Sequence, residues 1–120
     1  MQNSSRPLRS VLFCDLATQT GWCEGVPGGS PIYGSLRLAP EGADSPAIGA
    51  GLFKFLADRM RAFPPGTFVF ESPRDPRQMG GKTSRAAMRT LIGLPYVAET
   101  AAYLCGVYDI REAEASTIRS

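Results

Sequence analysis

Histidine is absent from the 120 residues. That absence excludes a Ser-His-Asp or Cys-His nucleophile pair and any His-ligated zinc or iron site within the chain. Cysteine is scarce and odd in number. Cys14, Cys23 and Cys105 form no C-x-x-C pattern and read as small buried hydrophobes of a reducing cytoplasm, not as a disulfide framework. No apolar run approaches the roughly 18 residues of a membrane-spanning helix. The polar segment 1–10, with Arg6 and Arg9, lacks the apolar stretch of a signal peptide. Internal repeats and low-complexity tracts are also lacking. What remains for catalysis is carboxylates, Lys and Arg, hydroxyls, and a borrowed metal ion.

What is there suits a single α/β domain. The chain is 43% hydrophobic and 20% charged, which separates it from disordered sequences, and its length fits one domain. Residues 1–9 are expected to form a disordered or extended tail, and residues 10–120 the domain. Lysine is nearly missing: of thirteen basic residues only Lys54 and Lys82 are Lys. Five of the thirteen (Arg74, Arg77, Lys82, Arg85 and Arg89) fall within one short stretch against a single acid, Asp75. Such a surplus suits an anionic partner such as a nucleic-acid backbone, because Arg forks phosphate. It equally suits a solvated loop and helix face.

Val11-Leu12-Phe13-Cys14 is a continuous apolar run ending in Asp15, which predicts a strand covered on both faces. Residues 21–26 and 32–38 read as two further strands, joined antiparallel through Pro27-Gly28-Gly29-Ser30-Pro31. Asp44 or Ser45 caps a helix with Pro46 in its first turn. Ile48, Leu52, Phe55, Leu56, Met60 and Phe63 form its apolar stripe, and Pro64-Pro65-Gly66 stops it. Phe68-Val69-Phe70 is a strand ending in Glu71, followed by a loop from Ser72 to about Gly81. Thr83 or Ser84 caps a second helix that Pro95 is expected to kink or interrupt, with Gly106 as its C-terminal signal. Val107 to Ile110 reads as the last strand, and residues 115–119 begin a further element. The order predicts an antiparallel meander passing into helix-connected parallel strands, an α/β architecture with a mixed sheet.

The two apolar strands VLFC and FVF each end in a carboxylate, Asp15 and Glu71, and each is followed by a tight exit. If those strands are sheet neighbours, the two anions lie side by side and repel unless a cation neutralises them. A divalent ion such as Mg²⁺ suits a chain that offers oxygen ligands. Taken singly, each carboxylate more often just marks a strand emerging into solvent; it is the matched pair that points to function.

Phe13-Cys14-Asp15-Leu16-Ala17-Thr18-Gln19-Thr20-Gly21-Trp22 resembles the first motif of RuvC-type Holliday junction resolvases: an apolar strand, Asp, a small-residue turn, then Gly-Trp. Val69-Phe70-Glu71-Ser72-Pro73 is similar to their second motif, a strand ending in a catalytic Glu. Gly80-Gly81-Lys82-Thr83-Ser84 followed by Leu91-Ile92-Gly93-Leu94 resembles the loop and helix start of phage and prophage members. The resemblance implies a ribonuclease H-like fold and endonuclease cleavage of branched DNA with Mg²⁺, for which Mn²⁺ can substitute, in a cytoplasmic homodimer active in DNA recombination and repair. Asp15 and Glu71 would be catalytic metal ligands. Arg74, Arg77, Lys82, Thr83, Ser84, Arg85 and Arg89 would contact DNA. In that family a C-terminal helix carries two more acids, and this chain ends before a matching segment. Asp109, Glu112 and Glu114 stand in no matching context, so the resemblance implies a C-terminally truncated domain with half a metal site. The alternative is a non-catalytic DNA-binding remnant of the same fold.

Two other patterns compete. Pro76-Arg77-Gln78-Met79-Gly80-Gly81-Lys82-Thr83 nearly spells the phosphate-binding loop of nucleoside triphosphatases, but Pro76 stands where that loop needs Gly. The turn after Asp15 also resembles the first phosphate loop of the actin and sugar-kinase superfamily, whose members need two such domains. Trp22 is expected to be a sheet-face anchor, and Tyr33, Tyr96, Tyr103 and Tyr108 structural.

Overall fold

The structure, a computed structural model, describes residues 9–74 and 84–114. Its elements are β1 (Val11–Asp15), β2 (Gln19–Gly25), β3 (Ile32–Arg37), α1 (Ser45–Ala62), β4 (Thr67–Glu71), α2 (Arg85–Leu104) and β5 (Ile110–Ala113). The five strands form one mixed sheet in the order β3-β2-β1-β4-β5. β1 to β3 make the antiparallel meander, and β4 and β5 add in parallel beside β1. Parallel neighbours need a crossover, and α1 and α2 supply it. Among the described residues, no helix is long and apolar enough to cross a membrane.

Alternation along each strand decides what faces the helices. Leu12, Cys14 and Leu16 from β1 and its exit, with Phe68 and Phe70 from β4, pack in one cluster with Leu52, Leu56 and Met60 of α1 and Leu94, Ala98, Ala101 and Ala102 of α2. Both helices therefore lie on one sheet face. The expectation that β1 is covered on both faces is not met among the described residues: Val11, Phe13 and Val69, which point the other way, are only half-buried. Cys14 has no solvent exposure. Burial first, then the negative charges of Glu24 and Asp15, pushes its thiol from 9.0 up to about 12. Because the thiolate is the nucleophile, Cys14 should resist iodoacetamide at pH 8 while half-buried Cys23 and Cys105 are modified. Mass spectrometry of native against unfolded protein reads this directly. Labelling of all three at one rate would contradict it.

The helix caps form as their residues dictate. Asp44 Oδ1 accepts from the Ala47 amide at 3.2 Å, and Ser84 Oγ accepts from the Ala87 amide at 3.0 Å. Gly51 lets α1 lie directly on the chain after β3, since a Cβ there would sit 1.8 Å from the Leu38 carbonyl oxygen. Gly51→Ala gains about 0.5–1 kcal/mol of helix preference but forces backbone apart, an overpacking cost of about 1–3 kcal/mol or more. The clash wins. A lowered urea midpoint is expected, and an unchanged one would refute the close approach.

Three local expectations are corrected. Pro95 neither ends nor splits α2, which runs unbroken from Arg85 to Leu104. Leu94 and Ala98, both buried on either side of Pro95, hold the two halves on one core face, and packing outweighs the missing amide. Val107 does not open the last strand. Gly106, at φ 82°, turns the chain so that its amide reaches Tyr103 O and the Val107 amide reaches Ala102 O at 2.9 Å. This closing motif buries Val107, and pairing begins only at Ile110. Phe63 leaves the core stripe and caps α1, exposed. The tail 1–8, most of the loop to Gly81 and the element at 115–119 lie outside the described residues.

Candidate metal centre at the carboxyl edge of the sheet

The parallel register between β1 and β4 pairs Asp15 directly with Glu71. The Leu16 amide donating to Glu71 O at 2.9 Å locks it. Parallel neighbours lie about 4.8 Å apart, and residues opposite one another project to the same face. Both carboxylates thus leave the sheet on the face away from the helices, at the carboxyl ends of adjacent strands. Asp15 is exposed and Glu71 half-buried. Across the same row, Gly21 lies opposite Asp15 and Ala113 opposite Glu71. Small neighbours on both sides leave the two acids room to take a ligand.

Local structure holds each acid. After Asp15 the chain turns over Thr20, whose fully buried hydroxyl donates to Ala17 O at 2.6 Å, while the Leu38 amide reaches Thr18 O at 2.9 Å. Thr20 positions the turn. After Glu71, the Ser72 hydroxyl donates to Glu112 Oε2, tying the exit to β5.

The remaining acids stay apart from the pair. Glu112 pairs with Phe70, on the other sheet face from Glu71. Asp109 lies at the opposite end of the strands, where hydrogen bonds from Arg111 and then Thr67 lower its carboxyl below the usual range. Among the described residues no group of three His, Cys, Asp or Glu side chains is placed to hold a metal. Two carboxylates nevertheless fit one Mg²⁺, which keeps several waters and typically takes one or two carboxylates plus substrate phosphates.

Of the basic residues singled out from sequence, Arg74 is exposed three positions beyond Glu71, and Ser84, Arg85 and Arg89 lie in or before the exposed first turns of α2. Arg77, Lys82 and Thr83 fall outside the described residues. Because α2 runs back along the sheet from the end of β4, its N-terminus lies at the same edge as the carboxylates. In open α/β sheets this carboxyl edge is where ligands bind.

Sequence reasoning missed the most buried charge. Glu24 on β2 is 6% exposed and shares the core face with Trp22. Its Oε1 accepts from Arg59 Nε at 2.6 Å and Nη2 at 2.5 Å, and the guanidinium lies 4.6 Å over the Trp22 ring. Trp22 also packs against Phe55, confirming it as a sheet-face anchor. The alternation Thr20, Trp22, Glu24 was the available signal.

No family model and no curated protein sequence matches this chain. Solved structures do. Thermus thermophilus RuvC in complex with a Holliday junction substrate superposes over 92% of this chain with a TM-score of 0.70 at 11% identity. A second Thermus thermophilus RuvC structure gives 0.66 at 13% identity, again over 92% of this chain. The chain spans 66% of the length of each of those chains. Sheet order, crossovers and these superpositions define the class as a ribonuclease H-like α/β domain. Within that class the fold is RuvC-like.

Proposed function

We propose that this chain is the metal-binding part of an endonuclease that acts on branched DNA such as a Holliday junction, with Mg²⁺, or Mn²⁺ in its place, held by Asp15 and Glu71. The observation that carries the reading is the in-register pairing of those acids at the carboxyl edge. Their combined negative charge, in a row otherwise of small residues, selects a hard cation. Once bound, such an ion supplies polarisation of a phosphodiester and a nucleophilic hydroxide at neutral pH. The chain's own residues do the rest. Asp15 and Glu71 hold the ion on rigid strand ends. Arg74, Arg77, Lys82, Arg85 and Arg89 neutralise the arriving backbone, and Thr83 and Ser84 offer amides and hydroxyls to a phosphate at the N-terminus of α2. Two copies, one site each, would serve the two strands to be cut.

The RuvC-like fold, and the junction bound to one RuvC neighbour, support the reading. One observation favours a second one, a DNA-binding domain without cleavage: no third carboxylate joins the pair among the described residues. Nicking of a synthetic four-way junction in Mg²⁺ separates them. Wild-type cleavage abolished by Asp15→Asn and by Glu71→Gln supports the nuclease. Junction binding without nicking supports the second reading, and equal nicking by all three proteins overturns the assignment of the site.

A further inference from the structure

The sheet face away from the helices carries three parallel rows at its carboxyl end. The first holds Glu71, Asp15, Gly21 and Ser35, abreast on β4, β1, β2 and β3. Two residues back along the strands, about 7 Å away, Val69, Phe13, Cys23 and Tyr33 stand abreast in the same way. On the outer side of the acids Gln19 lies opposite Arg37. Partners across a ladder project to one face. The neighbours of Tyr33 confirm which face it takes: Leu36 packs against the core, and a Cβ on Gly34 would meet the Trp22 indole at 3.0 Å. The acid row is therefore bordered by an apolar row on one side and a row ending in a cation on the other.

Exposure rises towards β3. Val69, Phe13 and Cys23 are half-buried, whereas Tyr33 is 78% exposed and Arg37 is exposed beside it. A ring so far out of the sheet adds nothing to the core. A single DNA strand has flat bases on one side and anionic phosphates on the other, and proteins hold it by stacking bases on aromatic rings while cations track the backbone. We infer that the nucleotides flanking the bond at Asp15 and Glu71 are unpaired and cross the sheet from β1 over β2 to β3. One base stacks on Tyr33, and a phosphate beyond it meets Arg37. Ser35 is two strand spacings from Asp15, so Tyr33 and Arg37 each lie about 12 Å from that acid. At 3.4 Å or more per nucleotide, the stacked base is within about four of the cut.

A duplex offers no such base, because both of its faces are already stacked and reaching it means unstacking the pair. The class of substrate is accordingly a branch with unpaired nucleotides beside the scissile bond. This rests on the metal-centre reading for where the cut falls. The binding itself belongs to β2 and β3, and it leaves Arg85 and Arg89 to the same backbone on the other side of the acids.

Fluorescence anisotropy of the full chain in EDTA tests it, with a splayed-arm DNA and a fully paired duplex of equal length. The wild type should hold the splayed DNA more tightly. Tyr33→Ala should weaken that binding about 5- to 150-fold and leave duplex binding in place, while Tyr33→Phe, which keeps the ring, should bind as wild type. Arg37→Ala should lower the slope of log affinity against log salt by about 0.7 for the splayed DNA. Circular dichroism should be unchanged, since both positions are exposed. Equal wild-type affinity for splayed and paired DNA would overturn the inference, and so would Tyr33→Ala binding the splayed DNA as wild type does. Because metal is absent throughout, failure of the Asp15–Glu71 reading shows in nicking and leaves these affinities untouched.

Discussion

Exchange of Asp15 for Asn should make the metal-free protein slightly more stable and blind to Mg²⁺. Both effects follow from one register. Asp15 and Glu71 are direct partners across parallel strands, and like charges so placed are destabilising by about 0.2–1 kcal/mol, towards the lower end here because Asp15 is exposed and salt screens it. Removing one charge relieves that repulsion. It also removes half of the proposed ligand set. Under the proposed function, Mg²⁺ or Mn²⁺ at tenfold over its dissociation constant should stabilise the wild type by about 1.4 kcal/mol, about 5 °C in melting temperature for a domain of this size. A lost ligand should weaken metal affinity by about a hundredfold or more, since even outer contacts cost 10–100-fold. Glu71→Gln should behave alike. Thermal melts with and without Mn²⁺ give the opposite signs in one experiment. Variants that melt lower than wild type without metal, or that keep its full metal response, would show that the acids do not share a cation.

The largest loss of stability should come from Arg59→Met. Glu24 is almost fully enclosed, both Arg59 contacts fall on its Oε1, and its Oε2 has no hydrogen-bond partner among the described residues. Deleting the guanidinium leaves a buried carboxylate without a counter-charge, at a cost of about 3–5 kcal/mol. Measured against a typical total of about 5–15 kcal/mol, that loss threatens folding at physiological temperature. Glu24→Leu should cost less, because Arg59 keeps its places over Trp22 and Phe63 and its partly exposed side chain can reach water. The double variant Glu24→Leu/Arg59→Met should recover most of the loss, as apolar replacement of a whole buried pair is often neutral. Urea unfolding of the three variants measures this. A double variant as unstable as Arg59→Met alone would refute the account.

Much of this molecule was legible locally. The apolar runs before Asp15 and Glu71, the Pro-Gly turn after β2, and the caps Asp44 and Ser84 mark their elements by short-range chemistry, and all formed where expected. Legibility failed where distant packing competed with local preference. Pro95 is a helix breaker in isolation, yet α2 continues because residues on both sides of it are sunk in the core. Val107 has strand propensity, yet its burial under the Gly106 turn is worth more than one extra ladder position. Glu24 and Arg59 are 35 residues apart, and nothing near either one announces the other.

The sequence by itself determined the order of elements, the absence of histidine chemistry and the two acids that end the apolar strands, because periodicity, caps and composition act over a few residues. Only the tertiary structure decided that these strands are neighbours in the register that pairs Asp15 with Glu71, that both helices occupy one face, and that Arg59 closes over Glu24. Register and layer depend on which side chains fill a shared core, and a one-residue slip of β4 against β1 would send Glu71 to the helix side of the sheet.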